Sequence, residues 1–138
     1  NAMLVRSGAQ EEQVKLIDFG MATLQRTSRY EAPGKRSYQA PEIHGDGPVD
    51  WYLADAFALG AMLCMMDFVD YPWACTVRGS CPHFDYAQRY GLRRLLGMKR
   101  LQRFGGQLMS EVISKDFLAV LEALLHFAPA RRACLGEA

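Results

Sequence analysis

The chain has 138 residues, 50% of them hydrophobic and 22% charged, with a formal net charge of +1. This is enough apolar material for one domain, or part of one, with a buried core. A balance so close to neutral supplies no field for nucleic acid or an anionic membrane surface, so neither is expected as a partner.

The four cysteines, at 64, 75, 81 and 134, form no CxxC pair and read as reduced thiols of an intracellular, cytoplasmic protein. Cys75, Cys81 and His83 share a loop without the spacing of a metal site. Asn1-Ala2-Met3 has two readings. In one, residues 1–2 are the scar of a cleaved purification tag ahead of an initiator methionine and stand outside the fold. The other depends on a resemblance described below.

Met3-Leu-Val-Arg6 and Val14-Lys-Leu-Ile17 are strand-like runs joined by a polar, glycine-containing stretch, which predicts a β-hairpin over 3–17. The second run feeds into Asp18-Phe19-Gly20. An aspartate at a strand end, before a glycine that permits a sharp turn, is a good place to hold a cation. Residues 21–33, with Thr27, Ser28 and Tyr30 but no apolar period, read as a loop. That loop leads into Gly34-Lys-Arg-Ser-Tyr-Gln-Ala-Pro-Glu42.

In Tyr52 to Met66, fourteen of fifteen residues are apolar, glycine or tyrosine, and the one charge is Asp55. Ala, Leu and Met favour helix. A helix apolar on every face belongs in a core, and fifteen residues fall short of the roughly 18 that a membrane span needs. A carboxylate on a buried helix must find donors or lose its charge.

Beyond Asp67, residues 74–83 read as a loop. Phe84 to Leu96 carries apolar residues at helical spacing, with Leu92, Leu95 and Leu96 on one face. Arg89, Arg93, Arg94, Lys99, Arg100 and Arg103 form a basic patch, either a solvated face or a dock for an acidic partner. Gly105-Gly106 breaks the pattern. Ser114 can cap a helix over 115–126 with Asp116 in its first turn. Phe117, Leu118, Leu121, Leu124 and Leu125 form its apolar stripe, Pro129 ends the segment, and 134–138 begin another helix.

Five landmarks in order give the chain its resemblance to the eukaryotic protein kinase family. Val14-Lys-Leu-Ile-Asp18-Phe-Gly20 is similar to the strand and magnesium-binding triplet. Gly34-x-x-x-Tyr38-x-Ala40-Pro41-Glu42 resembles the end of the activation segment. Asp55-x-x-x-x-Gly60 matches the central helix of the C-lobe. Tyr71-Pro-Trp73 and Pro129-x-x-Arg132 follow in their places. The resemblance covers essentially the whole chain.

It implies a mainly α fold, a partial kinase C-lobe: a helical bundle around a buried central helix at about 52–66, with a small N-terminal β-hairpin. The hairpin takes 3–17, the activation segment 18–42 and the helical part 43–138. Asp18, Phe19 and Gly20 would face ATP, with Asp18 holding Mg2+. Asp55 would accept backbone hydrogen bonds from the catalytic loop, and Glu42 would pair with Arg132. Thr27, Ser28 and Tyr30 are phosphosite candidates, and Glu31 stands where relatives carry an activating phosphoacceptor, so its charge could replace part of a phosphate's. Lys35 replaces a threonine usual in serine/threonine kinases.

If Asn1 is native, it fits the family's second-metal asparagine. The glycine-rich loop, the strand lysine and the catalytic aspartate find no counterpart in the 138 residues. The chain by itself is therefore expected to be inactive and to carry no bound nucleotide. The whole protein would be a serine/threonine kinase acting on a protein substrate, or alternatively a pseudokinase-type scaffold. With one side of the 52–66 helix stripped, self-association as a dimer or by segment exchange is expected.

Overall fold

Residues 2–7, 11–29 and 34–134 are described by the structure, a computed structural model. The chain opens with an antiparallel hairpin of β1 (Ala2–Ser7) and β2 (Glu11–Leu16). Its register puts Ala2 opposite Leu16, Leu4 opposite Val14 and Arg6 opposite Glu12 on one face, and an ion pair of 2.9 Å joins Arg6 to Glu12. Met3, Leu4, Val14 and Leu16 all stay exposed. The ladder and its cross-strand pairs hold this hairpin; the hydrophobic core does not.

The stretch expected to be a plain loop at 21–33 contains a strand. β3 (Thr27–Ser28) pairs antiparallel with β4 (Val49–Asp50). Side chains on both sides reinforce this small sheet. Arg26 donates to Asp50 Oδ2 at 3.0 Å, and Trp51 Nε1 donates to Ser28 Oγ at 2.6 Å. Two polar residues have no alternation to read, so composition alone could not show the strand.

Asp50 also starts the central helix, α1 (Trp51–Phe68), its Oδ1 accepting from the backbone N–H groups of Tyr52 and Leu53 at 3.0 and 3.4 Å. An aspartate at this position satisfies donors that the helix itself leaves open. The helix is three residues longer than expected, and its 18 residues with mean hydropathy 1.3 reach the lower limit for a membrane span. Length therefore no longer separates the two cases; packing does. One face carries the fully buried Ala56, Phe57 and Ala61 into the core against α5 (Lys115–Leu124).

The burial is one-sided, with one face of the helix left uncovered. Tyr52, Asp55 and Met66 are exposed, and Leu59 and Met62 between them are only half-buried. The spacing of these five residues puts them in one stripe along the helix.

The expected helix through Phe84–Leu96 is two: α2 (Pro82–Tyr90) and α3 (Leu92–Met98). Gly91 separates them with φ of 93°, a conformation that side-chain-bearing residues avoid. Leu92, Leu95 and Leu96 are buried as their spacing indicated. A short hairpin of β5 (Arg100–Leu101) and β6 (Gln107–Leu108) turns through Gly105 and Gly106 and leads into α4 (Met109–Val112). Ser114 caps α5 as expected, accepting from Phe117 N at 3.1 Å, and α5 ends at Leu124.

Residues 135–138, read as the start of another helix, lie outside the described residues. The basic patch is partly paired: Arg93 grips Glu122 through two bonds and Lys99 reaches Asp70 at 2.7 Å. Trp73 sits at the heart of the core, 5.3 to 5.8 Å from the rings of Phe57, Phe84 and Phe127. Its Nε1 meets no hydrogen-bond acceptor among the described residues, a defect costing about 1–3 kcal/mol.

Two backbone positions on α1 give opposite predictions. A Cβ on Gly60 would lie 2.8 Å from Leu125 Cγ and 3.0 Å from Leu124 Cβ. Gly60→Ala should therefore lower stability by about 1–3 kcal/mol from overpacking, outweighing a helix-propensity gain of about 1 kcal/mol. Val69, which ends α1, has φ of 55°. Val69→Gly should raise stability by about 1 kcal/mol, since a β-branched residue resists the left-handed region. Urea melts of the two variants read both signs.

Candidate functional site

Asp18 lies just past the end of β2, exposed, with φ of 64°. A tight turn follows, in which Ala22 N donates to Phe19 O at 3.0 Å, and Phe19 is 67% exposed. Asp18, Phe19 and Gly20 thus form a solvent-facing corner. Magnesium takes hard oxygen donors and keeps several waters or phosphate oxygens, using one or two protein carboxylates. Asp18 fits as one such carboxylate. Among the described residues no group of three His, Cys, Asp or Glu side chains gathers around a cation position. Asn1, Tyr30 and Glu31 lie outside the described residues.

The stretch from Gly34 to Glu42 is stitched to the loop after α1. Ser37 Oγ donates to Ala74 O at 2.9 Å, and Thr76 Oγ1 donates to Gln39 O at 2.7 Å. Lys35 points to Tyr71, its amine 3.1 Å from the hydroxyl and 4.2 Å from the ring centroid. The Tyr38 and Tyr71 hydroxyls meet at 3.1 Å. The bond to Tyr71, with burial, pushes the Tyr38 phenol up to about 12. Tyr71 moves the other way, held below the usual phenol range by the bond from Tyr38 and then by Lys35. The Tyr71 oxygen accepts from Lys35, and either hydroxyl can donate in the Tyr38–Tyr71 bond.

Of the phosphosite candidates, Thr27 is exposed, whereas Ser28 is half-buried with its hydroxyl engaged by Trp51.

Glu42 and Arg132 are 90 residues apart in sequence and meet as a bidentate pair, at 2.5 and 2.9 Å. The Arg132 guanidinium has no exposed surface and also donates to Leu53 O at 2.8 Å and His126 O at 2.9 Å. It lies 4.9 Å from the centre of the Phe57 ring. A buried charge needs this degree of satisfaction.

Asp55 lies on the uncovered face. It is exposed on α1 and takes no hydrogen bond from any described residue. Partial burial among apolar neighbours still pushes its carboxyl above the usual range.

Sequence reasoning missed the interactions that brace this stretch: Arg26 with Asp50, Lys35 with Tyr71, and His44 with Thr76. None follows a short-range pattern. Of these residues only Tyr71, as the first of Tyr71-Pro-Trp73, and Lys35, in place of a threonine, carried a signal.

A family model described as protein kinase domain matches residues 1–138. The chain belongs to the protein kinase domain family, and its mainly helical body with an N-terminal hairpin agrees with that membership. No curated protein matches the chain significantly.

Two predictions follow from the charges. Glu42→Ala leaves a buried guanidinium unpaired and should cost about 3–5 kcal/mol, a fall of about 10 °C or more in Tm by thermal melt. Asp55→Asn should do the reverse near neutral pH. Its folded-state carboxyl lies above the unfolded value, so folding disfavours the charged form. That penalty is absent below the unfolded carboxylate pKa and fully present above the raised folded one. Melts of parent and variant should therefore differ most near pH 7, with the variant more stable, and converge as pH falls through the carboxylate range.

Proposed function

We propose that this chain is the activation segment and helical part of a serine/threonine protein kinase C-lobe. Members of the family transfer phosphoryl groups to proteins using ATP and Mg2+. The protein containing the chain would move the γ-phosphoryl of ATP to a serine or threonine hydroxyl. The observation that carries this reading is the buried Glu42–Arg132 pair, which locks the end of the activation segment to the body of the lobe.

Asp18 would hold magnesium, whose charge stabilises the transferring phosphoryl group when bound. The chain's own contribution is placement. Residues 34–42, fixed through Ser37, Gln39 and Glu42, would present a polypeptide segment beside the Asp18 corner. The choice of serine and threonine over tyrosine rests on the absence of a proline- and tryptophan-containing stretch just before Pro41-Glu42. No residue of the 138 stands where the family's catalytic aspartate does, so the chain alone should be inactive. A cytoplasmic setting is proposed on its four unpaired thiols.

Lys35 favours a second reading, a pseudokinase-type binding module. It replaces the threonine of active relatives and is engaged with Tyr71. Magnesium-dependent transfer of labelled phosphate by a longer protein containing this chain separates the two. Transfer that is lost in Asp18→Asn supports the enzyme, and nucleotide-independent binding with no transfer supports the module.

The stripe of Tyr52, Asp55, Leu59, Met62 and Met66 is the basis for proposing self-association of the isolated chain. Light scattering should show a mass above that of the monomer at high concentration, and Met66→Glu, at an exposed position, should reduce it. A clean monomer under those conditions would rule this out.

A further inference from the structure

A cleft on the activation segment itself is not used by the reading above. It has a volume of about 360 Å3 and is lined by Arg36, Gln39, His44 and Val77. Arg36 and Gln39 come from the stretch before Glu42, His44 from the 3-10 turn Pro41–His44, and Val77 from the loop after α1. Among the described residues the cleft carries two basic side chains, Arg36 and His44, and no Asp or Glu lines it. Nearby acids are committed elsewhere: Glu42 to Arg132, and Asp46 to Arg29 at 3.4 Å. Arg36 has no hydrogen-bonding or ion-pair partner among the described residues.

The wall of the cleft is fixed before any ligand arrives. The single Thr76 hydroxyl proton goes to Gln39 O, so the 3.0 Å bond between Thr76 Oγ1 and His44 must run from His44 Nε2–H to the oxygen. That bond sets the imidazole's orientation and leaves Nδ1 as the atom that gains a proton when the ring becomes charged. Burial, and then the neighbouring Arg36 charge, hold His44 below the usual imidazole range. The two cationic groups disfavour one another, and an anion between them would relieve both. Val77 supplies an apolar surface for the methylene groups of an acidic side chain.

We propose that this cleft binds an acidic side chain of the polypeptide substrate, with the anion on Arg36 and His44. The proposal rests on the reading that residues 34–42 present the substrate segment. It makes Arg36 a specificity-determining residue. A guanidinium suits carboxylate and phosphate oxygens alike through paired N–H donors.

The test is binding of the 138-residue chain to fluorescein-labelled peptides, read by anisotropy. Each peptide has a central serine in a neutral background, with one glutamate moved through the flanking positions and a glutamine twin for each. One register should bind about tenfold more tightly with glutamate than with glutamine. Arg36→Gln should collapse that gap to about twofold or less while leaving the glutamine twin and the melting temperature unchanged. Arg29→Gln, which removes an equal charge elsewhere, should leave the gap intact.

Phosphoserine in the favoured register should bind at least as well as glutamate. Inorganic phosphate alone should compete only weakly. Glutamate giving no register preference, Arg36→Gln leaving the gap in place, or Arg29→Gln abolishing it equally would each overturn the proposal. So would tight phosphate binding without peptide preference, which marks an adventitious ion only. No phosphoryl transfer enters the measurement. A longer protein that fails to phosphorylate sinks the enzyme reading without touching this result, and a flat peptide panel sinks the cleft without touching transfer.

Discussion

The fold depends most on one buried guanidinium. Arg132 is the meeting point of three segments far apart in sequence: the turn at Pro41–His44 through Glu42, the first turn of α1 through Leu53 O, and the stretch just after α5 through His126 O. Desolvating an arginine costs several kcal/mol, recovered only when geometry and additional hydrogen bonds are good. Here both conditions hold, and the Phe57 ring covers one face of the group. The value of such a pair lies less in net stability than in registry. A shift of the Glu42 turn relative to α1 would leave a full charge stranded in the core, so the segment from Gly34 to His44 has a single seat. The cleft at Arg36 and the Tyr38–Tyr71 contact exist because that seat is fixed.

The parts of the fold that could be read from the sequence are those with period or punctuation. The central helix announced itself by fifteen residues with one charge, the α5 stripe by leucines at helical spacing behind a capping serine, and the hairpin by two apolar runs around a polar joint. The Glu42–Arg132 pair was visible only through family resemblance, since nothing local links residues so far apart.

What stayed hidden has physical reasons. β3 and β4 are two residues each, too short for alternation. Gly91 lies within the Phe84–Leu96 run of helical spacing, and only its positive φ shows that it divides α2 from α3. A run apolar on all sides does not by itself show which face is left uncovered. In the structure the core takes one face of α1 and leaves Asp55 on the other. The all-round apolar character of this helix therefore does not amount to complete burial.

Stability is distributed unevenly as a result. The helical body holds its aromatic cluster of Trp73, Phe57, Phe84 and Phe127 and its buried arginine, whereas β1, β2 and the run through Leu24 place their apolar side chains in solvent. Few buried contacts oppose opening of the hairpin, so its amides should exchange far below the protection of α1 and α5.

The left-handed corner at residue 18 has a consequence separate from any metal. Aspartate and asparagine are among the few side-chain-bearing residues at ease with φ near the 64° found there. The backbone therefore imposes its own selection, one that admits asparagine and glycine and rejects valine or isoleucine whatever the charge requirement. A neutral asparagine would preserve the bend, so electrostatics and chain geometry at this corner are separable properties even though a single residue supplies both.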